Sequence, residues 1–424
     1  MKTVTNLIQN VPIPKVVRVR QNFDRTCIPD EKIPGVLLGQ LQKFAQYIRP
    51  GMRIAITCGS RGIHCYAQMV KTMVDFVKER GAQPFIVAAM GSHGGATSEG
   101  QRQILADYGI TEEAMGCPVL CDMETVEIGK SIFRGQSVCM DKNAAGADGI
   151  LLFNRIKPHT SFRGKYESGL MKMMAIGLGK QQGAGQIHGQ SPAIMHELVE
   201  EYGRTILENC PVLGGIAVIE NAYDDTWKIA GLTAEEILTE EPKLKEESYK
   251  TIARLPFEAC DVLVVDKIGK NVSGDGMDPN VSGRFCTRYA SGGIQAEKVA
   301  VLDLTDETHG NAQGVGLADV TTRRLFEKMK LEMTYPTGVT NTFLHLMKIP
   351  MIMDNDREAL QLALCCCPEA EDPDNKKLIR IPDTAHIEYL EVSEGMLPLV
   401  RQNPKLEIVS EAYDLPFDEL GNLF

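Results

Sequence analysis

The stretch from Met52 to Ala89 constrains the fold most. Met52 to Thr57 is a short, mainly apolar run of the kind that forms a buried strand. A small-residue loop, Cys58-Gly59-Ser60-Arg61-Gly62-Ile63, follows it. Over residues 64–80, Met69, Val70, Met73, Val74, Phe76 and Val77 recur at helical spacing. Gly81 stops that helix, and Gln83 to Ala89 supplies a second apolar run. Two strands joined through a helix pair in parallel rather than as a hairpin. In such a sheet, ligands sit beyond the carboxyl ends of the strands. Two loops qualify: Cys58 to Ile63, and Met90 to Thr97 with its sequence MGSHGGAT. The second enters a helix at Ser98, so its glycines can present N–H groups to a phosphate, and His93 stands at the mouth of the sheet.

A chain of 424 residues exceeds one ordinary core. With 43% apolar residues, 6% aromatics and 39 glycines, it has the profile of an α/β enzyme. The expected architecture is two α/β domains with largely parallel sheets and an active-site cleft between them. Residues 1–255 form the first, catalytic domain, and residues 256–397 form a second that closes over the substrate. The tail, 398–424, returns to the first. Ala259 to Asp266 reads as the leading strand of the second domain and runs into a Gly-, Asp- and Lys-rich loop, Lys267 to Asn280. Helices are expected near Leu317 to Lys330 and Asp356 to Leu364.

The net charge of −11, without a basic block, disfavours nucleic acid. It also means that an anionic substrate needs local Arg or Lys. No apolar run reaches membrane-span length, and the opening residues lack a signal-peptide core, so the expected location is the cytoplasm. The 12 cysteines form no CxxC pairs and read as free thiols. The contiguous Cys365-Cys366-Cys367 reads as a helix end, since adjacent residues converge poorly on one ion.

Gly149 to Gly189 gathers the most chemistry. Gly149 to Phe153 is a further buried strand. Lys157-Pro158-His159-Thr160 follows, where Pro158 keeps its neighbour extended, and His159 reaches the same sheet edge. Lys172 lies among Leu170, Met171, Met173, Met174, Ala175 and Ile176. A lysine in such company either snorkels to water or is desolvated, in which case it loses its proton more easily and becomes a nucleophile.

These pieces, in this order, resemble the nickel-dependent lactate racemase family. Arg61 matches its arginine in the loop after the early strand, with Ser60 beside it. His93 in GSHGGAT and His159 in KPHTSF match the acid/base histidines. Lys172 in SGLMK matches the lysine that anchors the cofactor, and His188 matches the nickel-binding histidine. The resemblance spans Cys58 to His188. It departs at Cys58, where the family has aspartate, and in a longer segment between His159 and Lys172. The family's Gln and Lys substrate contacts have no clear match in Lys267 to Arg284.

The resemblance implies a nickel-pincer nucleotide held covalently on Lys172, contacted by Ser60 and Arg61, with nickel on His188. It implies inversion of C2 of a 2-hydroxy acid by hydride removal and return, with His93 and His159 exchanging the hydroxyl proton from either side. Histidine suits that role because it is neutral or charged near pH 7. Lys267, Lys270, Asn271, Asp275 and Arg284 are candidates for binding substrate hydroxyls or a second carboxylate, which points to a sugar acid rather than lactate. The expected partners are the small-molecule acid, cofactor-maturation enzymes and, as an option, a second copy of the chain. Two other readings use the same residues: a zinc-type hydrolase with His93, His159 and His188 as ligands, and a non-catalytic binder of a small acid.

Overall fold

The computed structural model describes residues 2–368, 370, 372 and 375–424. It is a mixed α/β structure that divides into two compact units: Asp24–Ile252, and Met1–Phe23 together with Ala253–Phe424.

The Asp24–Ile252 unit is built on strands β1 Arg53–Cys58, β2 Gln83–Ala88, β3 Val119–Leu120, β4 Thr125–Lys130, β5 Ser137–Asp141, β6 Gly149–Arg155, β7 Val212–Glu220 and β8 Thr226–Thr233. Six of them form one sheet in the order β3-β2-β1-β6-β7-β8. β3, β2, β1, β6 and β7 are mutually parallel, and β8 returns antiparallel to β7. β4 and β5 form a separate antiparallel pair.

Successive side chains on a strand point to opposite faces. Ala55, Val87, Ile150 and Leu152 therefore join one core with Tyr166, Met171, Met174 and Leu198. Ile54, Ile56, Ile86, Leu151 and Phe153 join another with Leu37, Leu41, Met69, Met73 and Phe76. Both faces are covered, which is why these strands read as unbroken apolar runs rather than alternating ones. The helix Tyr66–Glu79 closes one crossover, and the helix Met195–Asn209 packs on the other face.

The second unit carries an eight-stranded sheet. Met351–Met353, Val320–Thr322, Gln295–Leu304, Ala259–Ile268 and Leu378–Ile381 are parallel neighbours in that order. Tyr389–Ser393, Val16–Gln21 and Leu406–Ile408 extend it antiparallel. The division expected from the sequence differs here. Val16 to Arg20 pairs with residues 389–393, and Val19 to Gln21 with 406–408, so the first 23 residues and the tail belong to this unit rather than to Asp24–Ile252. Pairing across nearly the whole chain leaves no local signal. Likewise, the helix expected from Leu317 opens with a strand, Val320–Thr322, and becomes helical only over Arg323–Lys328. The cysteines are free, and the triplet ends the helix Asp356–Cys365, with Cys367 buried.

Leu152 is fully buried in β6. Leu152→Ala should lower unfolding stability by about 2–5 kcal/mol, measured as a lower urea midpoint with an unchanged slope.

Candidate active site

The order β3-β2-β1-β6-β7-β8 reverses direction between β1 and β6. From β1 the chain builds outward through β2 to β3, then crosses back to β6. The loops leaving β1 and β6 diverge, which opens the crevice where α/β sheets bind ligands. Ser60 and Arg61 follow β1, His93 follows β2 and His159 follows β6. The strand ends are locked in register, with the Phe153 N–H donating to Thr57 Oγ1 at 3.0 Å.

Lys172 comes from a helical run that changes hydrogen-bond pattern along its length. Leu170–Lys172 is α-helical, Met173–Leu178 is π-helical and Lys180–His188 is α-helical again. Such π segments recur at functional sites. The run begins against a buried carboxyl: Glu241 accepts the Met171 N–H at 3.1 Å. A Cβ on Gly169 would sit 2.1 Å from Glu241 Oε1, so any larger residue there would push that carboxyl aside. Burial pushes Glu241 up to about 8, opposed by the backbone N–H groups of Met171 and Leu170. The same run touches the loops after β1 and β2. Met173 Cε is 3.3 Å from the Cβ position of Gly59, and the Gly91 N–H donates to Gly177 O at 3.1 Å.

The Lys172 Nζ stands 2.5 Å from His159 Nε2. The other ring nitrogen, Nδ1, accepts the Ser161 N–H at 3.1 Å. A neutral imidazole has one donor and one acceptor. With Nδ1 accepting, the ring proton sits on Nε2, the nitrogen that faces Lys172. Burial keeps the ring neutral: it holds His159 well below the usual histidine range, reinforced by Lys172 whenever that is charged and by His188. His188 is lowered to about 4, by burial first and Lys172 second. The surroundings fix the His159 ring. It stacks on Phe162 at 4.2 Å between centroids, and the His159 backbone N–H donates to Glu167 Oε2 at 2.7 Å. Its carbonyl accepts from Arg163 Nη1 at 2.5 Å. Glu167 is itself buried and accepts from the Tyr249 hydroxyl at 3.0 Å.

His93 is exposed, with Nδ1 in hydrogen-bond contact with Ser60 Oγ. Its loop is tied down from below. Gln101 Nε2 donates to Gly91 O at 2.9 Å and to His93 O at 3.3 Å. Gln101 Oε1 accepts from Lys180 Nζ at 3.2 Å, and Lys180 also donates to Ala88 O, at the end of β2, at 2.6 Å. Lys180 and Asp141 are both fully buried and form an ion pair at 3.2 Å. Nothing in the sequence singles out Lys180 beside Gly179 and Gln181. Its role appears only when the end of β5 is brought against the π-helical run.

A family model described as a domain of unknown function (DUF362) matches residues 56–239, a span that holds Ser60, Arg61, His93, His159, Lys172 and His188 and ends before Glu241 and Tyr249. The fold is similar to that of the lactate racemase apoprotein from Thermoanaerobacterium thermosaccharolyticum. That structure matches with a TM-score of 0.54 at 12% identity, covering 88% of this chain and 99% of that one. A protein from Thermotoga maritima matches with a TM-score of 0.49 at 14% identity, over 77% of this chain and 83% of that one. No curated protein matches. The chain therefore has a distant lactate racemase-like fold.

Other residues singled out in the sequence fall elsewhere. Arg61 is exposed on its loop. Cys58, at the family's aspartate position, is a buried thiol pushed up to about 12 by burial, so it brings no charge. The five candidates in the second unit are engaged locally. Lys270 donates to Gly274 O at 2.8 Å, Asn271 accepts from Thr305 Oγ1 at 2.6 Å, and Asp275 accepts from Gln313 Nε2 at 3.0 Å. Arg284 pairs with Asp319 at 2.8 Å, and the Lys267 ammonium lies 5.4 Å from the Phe424 ring centroid. Among the described residues, His93, His159 and His188 do not form a group of metal-ligating atoms within 4.8 Å of one another. No helix among the described residues is long and apolar enough to cross a membrane.

Two outcomes follow from the buried charges. Lys180→Met strands the Asp141 carboxylate and should lower stability by about 3–5 kcal/mol, with much of the loss recovered when Asp141→Asn is added; chemical denaturation of the two variants measures this. Glu241 has its folded-state value raised from 4.5 to about 8. The folded chain keeps a proton that the unfolded chain loses, so this contribution is full below pH 4.5 and fades as pH rises toward 8. Glu241→Gln should therefore lose less melting temperature than the native chain between about pH 5 and pH 8.

Proposed function

We propose that this protein is an isomerase that inverts C2 of a 2-hydroxy acid, with a nickel-pincer nucleotide carried on Lys172. The observation that carries this reading is the Lys172 amine set 2.5 Å from His159 Nε2, beside the buried Leu170, Met171, Met173 and Met174. Apolar surroundings favour the uncharged amine, the form that can make a covalent bond. The similar fold of a lactate racemase apoprotein supports the same reading.

The residues present fit the group. A metal-ligating imidazole must be neutral, and His188, lowered to about 4, is neutral at pH 7. Lys172 would be the covalent tether and His188 the nickel ligand, while Arg61 and Ser60 would meet the nucleotide phosphate or the substrate carboxylate. The guanidinium suits either anion because it binds both oxygens at once. When bound, the group supplies a hydride acceptor. It is made by other enzymes, so the chain needs those maturation partners.

The acid/base work belongs to the chain's own side chains. Once the amine is engaged covalently, His159 Nε2 loses its present partner and is free to exchange a proton with the substrate hydroxyl. His93, whose Nδ1 is held by Ser60, would serve the opposite enantiomer. Glu167, Phe162 and Ser161 fix the His159 ring, while Gln101 and Lys180 fix the His93 loop. Positioned acid/base groups of this kind contribute about 10²–10⁴-fold each.

The test is turnover by protein produced together with the nucleotide-making enzymes, given single enantiomers from lactate to aldonates. The expected result is inversion of at least one acid with its C2 hydrogen retained, slowed about 10²–10⁴-fold by His93→Ala or His159→Ala. Nickel-loaded protein that inverts none of the panel contradicts the reading.

A further inference from the structure

Away from Lys172, the Asp24–Ile252 unit brings three other metal-ligating side chains together. Among the described residues, ligand atoms of Asp30, His64 and Cys65 all lie within 4.8 Å of one another. His64 Nε2 is 2.8 Å from Asp30 Oδ1. Asp30 opens the short turn Asp30–Lys32, and Cys65 precedes the helix Tyr66–Glu79. Two segments 34 residues apart therefore meet at this point.

Consecutive residues seldom aim at one point, because in extended chain their side chains diverge. Here Cys65 takes the left-handed conformation, φ 54° and ψ 34°, which is uncommon for a residue with a Cβ. The turn is anchored from behind. The His64 N–H donates to Glu220 Oε1 at 2.7 Å, and Glu220 is itself paired with Arg155. Burial, and next the Asp30 carboxylate, push the Cys65 thiol up.

We propose that Asp30, His64 and Cys65 bind a zinc-type divalent ion that clamps the Asp30 turn to the start of the Tyr66–Glu79 helix. One thiolate, one imidazole and one carboxylate suit a borderline ion rather than calcium or magnesium. Ligand distances of about 2.0–2.3 Å place ligand atoms roughly 3.3–3.7 Å apart in a tetrahedron. The pair now at 2.8 Å needs to open by about half an ångström, which the exposed Asp30 allows. Three protein ligands leave the fourth position to water. On binding, the Sγ–H bond breaks, sulfur keeps the electron pair for the metal, and one proton passes to solvent. This site does not rest on the function proposed above.

The test is a cobalt(II) titration of the full chain, freed of metal by chelator and kept reduced. The expected result is one equivalent bound, with an ultraviolet thiolate-to-cobalt charge-transfer band, release of one proton and a higher melting temperature. Cys65→Ser should lose the band, His64→Gln and Asp30→Asn should weaken it, and His188→Ala should leave it unchanged. Should Cys65→Ser fail to fold, the His64 and Asp30 variants decide. A native chain with no such band, or a band indifferent to all three substitutions, overturns the assignment.

Discussion

The contact between the Lys172 amine and the His159 ring is the interaction around which the Asp24–Ile252 unit is arranged. It needs an uncharged imidazole, and burial provides one. It needs that imidazole oriented, and the Ser161 N–H, the Phe162 ring and Glu167 orient it. It also needs the lysine presented at the first turn of a helical run, which the Glu241 carboxyl and Gly169 secure. A polar pair this close to a hydrophobic core is stabilising only when every partner is satisfied, and the loop from Lys157 to Ser168 is closed on itself by two backbone hydrogen bonds.

The sheet supplies the rest. Its reversal between β1 and β6 gathers the loops that carry Ser60, Arg61 and His159, and β2 adds His93. The buried Lys180 connects the end of β2, the Gln101 amide and Asp141 to the helical run that bears Lys172 and His188. That ion pair is a poor source of net stability, given the desolvation of both charges. Its value is geometric, because it fixes the His93 loop relative to the lysine helix. Nickel-based inversion of a hydroxy acid is a reading of this arrangement, and it is the combination of amine, neutral imidazoles and sheet edge that favours it.

Much of this was legible in the sequence for a physical reason. Buried parallel strands and amphipathic crossover helices leave strong local patterns, so β1, β2, β6 and the helix Tyr66–Glu79 stand out. Lysine among methionines and histidines after strands are equally visible. The place of Val16–Gln21 in the other unit's sheet was not, because its pairing partners lie near the far end of the chain. Glu167, Glu241, Lys180 and Asp141 were missed because a charged residue looks like surface until tertiary contacts bury it. Lys267, Asn271, Asp275 and Arg284 were picked out by their polarity alone, and each has a partner within its own unit.

The most direct measurement is peptide mapping by mass spectrometry across Leu170 to His188, on protein matured beside the nucleotide-making enzymes and assayed for nickel. A covalent adduct on Lys172, absent in Lys172→Ala and accompanied by bound nickel that His188→Ala loses, is the predicted result. An unmodified Lys172 in nickel-free protein from the same preparation would contradict it.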